Sequence, residues 1–157
     1  MQGVLRQLTC RFSVVRQVLR DRILNIEGVV PSERWAFQNR TFVAPQTSEA
    51  QSKEQALFIE ERVGITAESR VSKDEVTVFG RAKYLIVSPK GSGTEAAEDM
   101  AALIAGDLQG VTYLQSQGVT IYLERPERLS PFEFEERWYK PVEVSWRAHT
   151  FETQQVT

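Results

Sequence analysis

Apolar residues recur every three or four positions in two stretches of the chain, which is the spacing of an amphipathic helix. In residues 4–25 the apolar stripe consists of Leu5, Leu8, Phe12, Val15, Leu19 and Ile23. In residues 94–109 the stripe consists of Ala97, Met100, Ala101, Ile104 and Leu108. Glycines follow both stretches, as is common after the last turn of a helix. The pattern therefore predicts a long N-terminal helix and a shorter helix in the second half.

Four further stretches alternate between apolar and polar residues, which is typical of half-buried strands. They are residues 57–65, where Glu61 interrupts the apolar face, and residues 75–88, 118–125 and 142–148. Residues 132–135 also alternate and are expected to extend the last strand ahead of Pro141. We therefore predict one α+β domain over residues 1–157, with a mostly antiparallel sheet of four to five strands and both helices on one face.

Residues 46–55 are polar apart from Ala50, so this segment has no means of packing into a core. It is predicted to be an exposed loop between the first helix and the first long strand. Loops of this kind are common places for contacts with other molecules.

The composition is that of an ordinary globular protein, with 41% hydrophobic and 25% charged residues in 157 and a formal net charge of −2. That charge gives no general attraction to nucleic acid or to an anionic membrane. No apolar run approaches the roughly 18 residues that span a bilayer, and Cys10 is the single cysteine. We expect a protein without an intramolecular disulfide, in a reducing, cytoplasmic-type compartment.

Charge is unevenly distributed along the chain. Residues 1–22 carry five arginines against Asp21 alone, and residues 124–136 carry five glutamates against two arginines. Such a separation suits self-association or a charged partner.

The glycine-rich turn ahead of the second predicted helix is a candidate ligand site. The spacing Gly91-x-Gly93-x-x-Ala96 matches a dinucleotide-binding pattern, but Glu95, with Glu98 and Asp99, places negative charge where a phosphate would bind. A capping box between Ser92 and Glu95 explains the turn without a ligand.

The single histidine, His149, shares a strand face with Ser145 and Glu143. Neighbours on one face of a strand point in parallel, so these groups are not expected to form a catalytic triad. One histidine and one cysteine also make a zinc or iron site improbable. We therefore expect no catalytic residue, no metal and no cofactor, and expect some aromatic residues in 35–45 and 132–139 to be interface anchors.

Two short motifs and their order resemble a known family. Asn39-Arg40-Thr41-Phe42-Val43-Ala44-Pro45 is followed by a polar loop, a strand, and then Pro89-Lys90-Gly91-Ser92-Gly93 ahead of an Ala-rich helix. Together they resemble the tail terminator, or tail completion, proteins of long-tailed bacteriophages. The resemblance implies a virion protein, assembled in the host cytoplasm, that forms a hexameric ring on the finished tail tube. Such a ring stops tube growth and joins the tail to the head-tail connector or stopper protein, and DNA passes through its lumen without sequence-specific contact.

A ring needs a heterologous, head-to-tail contact between subunits. Charge suggests that the first helix faces the glutamate-rich segment of a neighbour, so the candidate interface residues are Arg16, Arg20, Glu133, Glu135, Trp138 and Tyr139. The candidate lumen or tube-facing loop residues are Thr47, Ser48, Glu49, Gln51, Ser52 and Lys53. Three alternatives stay open: another phage neck subunit, a small nucleotide-binding enzyme that uses the Gly91–Gly93 turn, and a monomeric adaptor.

Overall fold

The computed structural model describes residues 2–38, 40–44, 57–72, 75–89 and 94–151, which adopt an α+β fold with two helices and a mixed sheet. The helices are α1 (Gln2–Leu24) and α2 (Glu95–Gln109), and a 3₁₀ turn covers Ser32–Arg34. The strands are β1 (Trp35–Ala36), β2 (Phe58–Ser72), β3 (Glu75–Pro89), β4 (Tyr113–Ser116), β5 (Val119–Leu123), β6 (Glu127–Arg128), β7 (Phe132–Phe134) and β8 (Arg137–Phe151). The α+β class is confirmed, but the described sheet has eight strands rather than four or five.

The strands are ordered β1-β2-β3-β8-β5-β4, and β6 and β7 also pair with β8. The two-residue pairing of β1 with β2 is parallel, and the other described pairings are antiparallel. β3 pairs with all fifteen residues of β8 along one edge of β8. Strands β5, β6 and β7 therefore follow one another along the other edge of β8. Residues 119–134 thus act as one interrupted strand beside β8.

The main core lies between the helices and one face of the sheet. Val15, Leu19 and Ile23 of α1 are buried there, which confirms the later part of the predicted stripe. All five predicted stripe residues of α2 are buried in the same cluster. The side chains of Leu5, Leu8 and Phe12 lie outside the described part of the chain.

The last strand was predicted too short, because Pro141 does not interrupt it. β8 runs through Pro141, which is opposite Leu85 of β3. The carbonyl of Pro141 accepts a hydrogen bond from the N–H of Leu129, so its ring nitrogen also faces the β6–β7 edge. That edge is already interrupted between β6 and β7, so the missing N–H breaks no ladder there. Residues 132–134 consequently form a separate strand that folds back on β8.

Two other strand predictions need correction. β4 was not predicted; it pairs with β5 through a two-residue turn at Gln117 and Gly118, whose φ angles are 50° and 76°. β2 extends to Ser72, beyond the predicted end at residue 65. Residues 64–70 of this strand are exposed, so no alternation of apolar residues marks them in the sequence.

Candidate interaction surface

An exposed aromatic hairpin joins β7 to β8. Phe132 and Phe134 are 44% and 58% exposed, and they pair in register with Tyr139 and Arg137. The connecting turn consists of two glutamates, Glu135 and Glu136, with φ angles of 47° and 65°. Positive φ at both positions is the type I′ geometry that suits the twist of a hairpin, but it usually requires Asn or Gly.

The three aromatic side chains of this hairpin are in contact with one another. The rings of Phe132 and Tyr139 stack with centroids 5.1 Å apart and an interplanar angle of 3°. Phe134 meets Tyr139 edge-on at 6.4 Å. Burial raises the pKa of Tyr139, and Glu60 raises it further. We call Phe132, Phe134 and Tyr139 the aromatic patch.

A second, smaller core supports the aromatic patch. It consists of buried Phe58, Leu85 and Val87, with Phe42, Ala44 and Tyr139 packed against them. The rings of Phe42 and Phe58 lie 5.1 Å apart. Because its inner edge rests on packed side chains, the patch needs little ordering before it binds a partner.

Two acidic side chains border one end of the patch. Glu135 and Glu136, in the turn at the end of the patch, are exposed, whereas the Arg137 guanidinium lies over the Phe58 ring, 5.5 Å from its centroid. An apolar centre with a charged rim is the usual anatomy of a protein-protein contact. The acidic rim favours a partner surface that carries arginine or lysine beside apolar groups.

The structure brings four of the predicted interface residues into this hairpin, namely Glu133, Glu135, Trp138 and Tyr139. They do not share one face, because Glu133 pairs with Trp138 and both alternate with the patch residues. Phe132 and Phe134 lie in the 132–139 segment where interface anchors were expected, but neither was among the candidate interface residues. Their alternation with glutamates was the available signal, although it was equally compatible with a half-buried strand.

Arg20 must be removed from the predicted subunit interface, because its charge is neutralised inside the chain. It is 8% exposed, and its guanidinium donates to Glu61 twice, at 2.7 Å and 2.5 Å. The guanidinium carbon of Arg20 lies 4.2 Å from the centroid of the Phe37 ring. The hydrogen bond to Glu61 raises the pKa of Arg20, although burial opposes this. Arg16 is half-buried on the same helix, and its interface role stays a prediction.

The same pair explains the irregularity that Glu61 causes in the β2 pattern. Glu61 is 1% exposed on the helix-facing side of the strand. Its carboxylate also accepts the N–H of Gln38 at 3.4 Å, and the Gln38 amide oxygen accepts the N–H of Val63. The available sequence signal was limited to a carboxylate at an apolar strand position, because Arg20 is not one of the stripe residues of the first helix.

Several other candidate residues lie outside the described part of the chain. They are the loop residues Thr47, Ser48, Glu49, Gln51, Ser52 and Lys53, and the turn residues Gly91, Ser92 and Gly93. Thr94 is the N-cap of α2, and its side chain makes no capping hydrogen bond.

His149 of β8 contacts two residues of β3, and it does not form a catalytic group with Ser145 and Glu143. Its Nδ1 lies 3.0 Å from the hydroxyl of Thr77, and its Nε2 lies 2.9 Å from a carboxylate oxygen of Glu75. The hydroxyl belongs to a buried threonine, which is poorly placed to meet a substrate. Among the described residues, no cluster of three His, Cys, Asp or Glu side chains is arranged to hold a metal ion.

A shallow cavity of about 320 Å³ lies between α2 and the segment after α1. Its apolar lining includes Val30, Leu57, Met100 and Leu103, and Arg34 and Asp99 are its charged residues. One cation and one carboxylate at a mostly apolar opening do not define a reaction.

Comparison with known proteins gives a fold but no family. No family model matches the chain, and no curated protein matches it. Seven solved chains resemble it in structure. One of them, whose name states no function, has a TM-score of 0.58 and 17% sequence identity. That match covers 84% of this chain and 94% of the solved chain. At that identity the likeness concerns the fold alone. Neither described helix has the length and apolarity needed to cross a bilayer.

Proposed function

We propose that the protein is a structural subunit of a phage tail terminator, a ring, expected to be hexameric, that caps the tail tube and meets the head-tail connector. The aromatic patch is the observation that carries this proposal on the structural side. It is an exposed, preorganised, acid-rimmed apolar surface of the kind that binds another protein. The motif order seen in the sequence suggests which assembly it serves.

In this proposal the patch of one subunit packs against a different surface of the next, as a ring requires. The N-terminal helix is the candidate acceptor, because α1 carries Arg6, Arg11 and Arg16 in its sequence. Arg20 takes no part, since it is paired with Glu61. Phe132 and Phe134 provide the apolar anchors, and the turn glutamates provide the charge that orients them.

The first experiment measures the mass of the purified protein by light scattering across concentration and salt, alone and with assembled tail tubes. A species near six subunits, free or on the tube, is the expected result. The double variant Phe132→Ser with Phe134→Ser should abolish that species and leave the monomer folded, because both side chains are exposed and lie outside the main core.

Tyr113→Ser is the matched control. Tyr113 is 56% exposed, but it lies on β4, away from the patch. Its loss should leave ring formation intact. If the patch variant assembles as well as the control, the patch is not the ring contact. If neither free protein nor protein with tubes exceeds a monomer, the ring proposal fails.

A monomeric adaptor is an alternative function that the same patch supports. Another phage neck subunit is a second alternative, and it would differ in the ring on which it stacks. A strict monomer that binds a single partner through Phe132 and Phe134 would favour the adaptor. A nucleotide-binding enzyme is tested separately by thermal shift, since a ligand at a hundred times its dissociation constant adds about 2.7 kcal/mol to stability.

A further inference from the structure

A row of exposed aromatic side chains crosses four adjacent strands of the sheet. Tyr113 of β4 lies opposite Tyr122 of β5, and Tyr122 lies opposite Arg147 of β8. Arg147 in turn lies opposite Phe79 of β3. The three rings are 56%, 40% and 38% exposed, in the order Tyr113, Tyr122 and Phe79. Ile121, which precedes Tyr122, is buried in the main core, so the row lies on the face that points away from the helices.

Two exposed charges of opposite sign lie beside Tyr122 in this row. The Arg147 guanidinium lies over the Tyr122 ring, 4.7 Å from its centroid. The N–H of Glu124 donates to the carbonyl of Ser145, which places the Glu124 side chain two positions beyond Tyr122 on the same face. Within the described part of the chain, neither Arg147 nor Glu124 forms an ion pair. The row therefore carries one carboxylate and one guanidinium whose charges are not neutralised by a described neighbour.

We propose that this surface packs face to face on the same surface of a second copy, around a two-fold axis that lies between the two sheets. Arg147 of each copy then lies opposite Glu124 of the other. On an idealised flat sheet, with strands about 4.8 Å apart and residues about 3.4 Å apart, the axis that exchanges these two positions also passes within about 2 Å of Tyr113 and Tyr122. Each tyrosine therefore packs beside its own counterpart, with an ion pair on either side of the axis.

The charges favour a second copy over a partner of uniform charge. A polyanion would meet the carboxylate of Glu124 beside the guanidinium of Arg147, and a polycation would meet the reverse conflict. Like charges brought together in a contact are destabilising, whereas the two-fold arrangement gives both groups an opposite charge. Arg81 also falls close to the axis, but its guanidinium lies 3.5 Å from the carboxylate of Glu143, which reduces its repulsion of its own counterpart.

The contact is small, which predicts a weak, concentration-dependent dimer. Its centre consists of two tyrosines from each copy and two ion pairs, and small contacts are typical of transient complexes. Tyr139 of the aromatic patch is eight residues from Arg147 along β8, a distance of about 27 Å. A two-fold contact is isologous and therefore separate from the heterologous contact of a ring, so this dimer does not rest on the proposed function.

Charge reversal followed by sedimentation equilibrium tests the pairing directly. Arg147→Glu and Glu124→Arg each convert two attractions into two repulsions and should weaken the dimer roughly tenfold, about 1.4 kcal/mol. An equimolar mixture of these two variants should form a heterodimer within about twofold of the wild-type affinity, because each opposed pair then joins a carboxylate to a guanidinium. Glu98→Arg is the control: it makes the same change in net charge at an exposed position of α2, on the helix side, and should leave the dimer unchanged. A mixture that associates no better than the single variants would overturn the proposal.

Truncation of an aromatic side chain gives a second test. Tyr113→Ser should weaken the dimer roughly tenfold, because it removes a ring that packs beside its counterpart at the axis. Leu103→Ser is the control, since Leu103 is 43% exposed on α2 and lies on the helix side. Equal affinities for these two variants, or a wild type that stays monomeric at about 1 mM, would overturn the proposal. Repeating the measurements with Phe132→Ser and Phe134→Ser present, where no ring is expected, lets the dimer and the ring fail independently.

Discussion

The two faces of the sheet differ in how completely they are covered. The helix-facing side is closed by α1 and α2, and it buries even a charged pair, Arg20 with Glu61, beside the fully buried Tyr84. On the other side the smaller cluster around Phe58 ends in rings that remain exposed at Phe132 and Phe134. The first face is organised for stability, because most of its apolar side chains are buried in the main core. The second keeps apolar surface available to a partner.

Because the helix-facing side is closed and the other side is open, we expect substitutions on the closed face to change stability and substitutions on the open face to change assembly. Glu61→Ala should have the largest effect, because it leaves the guanidinium of Arg20 buried without its carboxylate. We expect the free energy of unfolding, measured by urea denaturation, to fall by about 3–5 kcal/mol. Arg62→Ala is the control: its bond to Glu60 is exposed, and we expect a loss under about 1 kcal/mol. Equal losses would contradict the contrast between the two faces.

Gly80→Ala should have the next largest effect. A Cβ at Gly80 would overlap the Trp146 indole ring and the carbonyl oxygen of Gly64. Overpacking of this kind typically costs about 1–3 kcal/mol, measurable by the same denaturation. Gly64→Ala is the control at a neighbouring position, because a Cβ at Gly64 would meet no atom within 4 Å. A similar loss at both positions would point to backbone strain rather than to the contact with Trp146.

The closed face also predicts a loss of stability at alkaline pH. Burial raises the pKa of Tyr84, and Glu61 raises it further, so the folded pKa exceeds the unfolded one of about 10. The neutral phenol thus favours folding fully below about pH 10, and this advantage declines as pH rises toward the folded pKa. The free energy of unfolding should fall by about 1.4 kcal/mol per pH unit above pH 10. Tyr84→Phe should remove that part of the slope; an unchanged slope would show that other groups cause it.

On the open face, a substitution in the Glu135–Glu136 turn should increase the stability of the protein. Replacing it by Asn-Gly suits positive φ at both positions and should raise the free energy of unfolding by about 1 kcal/mol. The same change should weaken ring assembly, since it removes two charges from the rim of the patch. Gln117→Asn, beside the existing Gly118, is the matched control in the β4–β5 turn and should leave assembly unchanged. A turn variant that gains stability and assembles normally would show that the glutamates serve no contact.

Local patterns predicted the helices well and the strands less well. α1 and α2 begin and end within two residues of the predicted limits, because three- and four-residue spacing is a property of neighbouring positions. β4 and the second half of β2 were missed, because exposed strands need no apolar alternation. For the candidate surface, the hairpin residues were identified in part, but their division between two faces depends on the turn at Glu135 and Glu136.

What the sequence by itself determined is the α+β class, the two helices and the apolar positions that had to leave water. Only the tertiary structure decided the partner of each strand and the use of each charge. Arg20 and Glu61 are 41 positions apart, and nothing local distinguishes a buried pair from two surface charges. The run of β8 through Pro141 likewise depends on the strands beside it. Strand pairing joins residues distant in sequence, so register and burial follow from the assembled sheet rather than from any single segment.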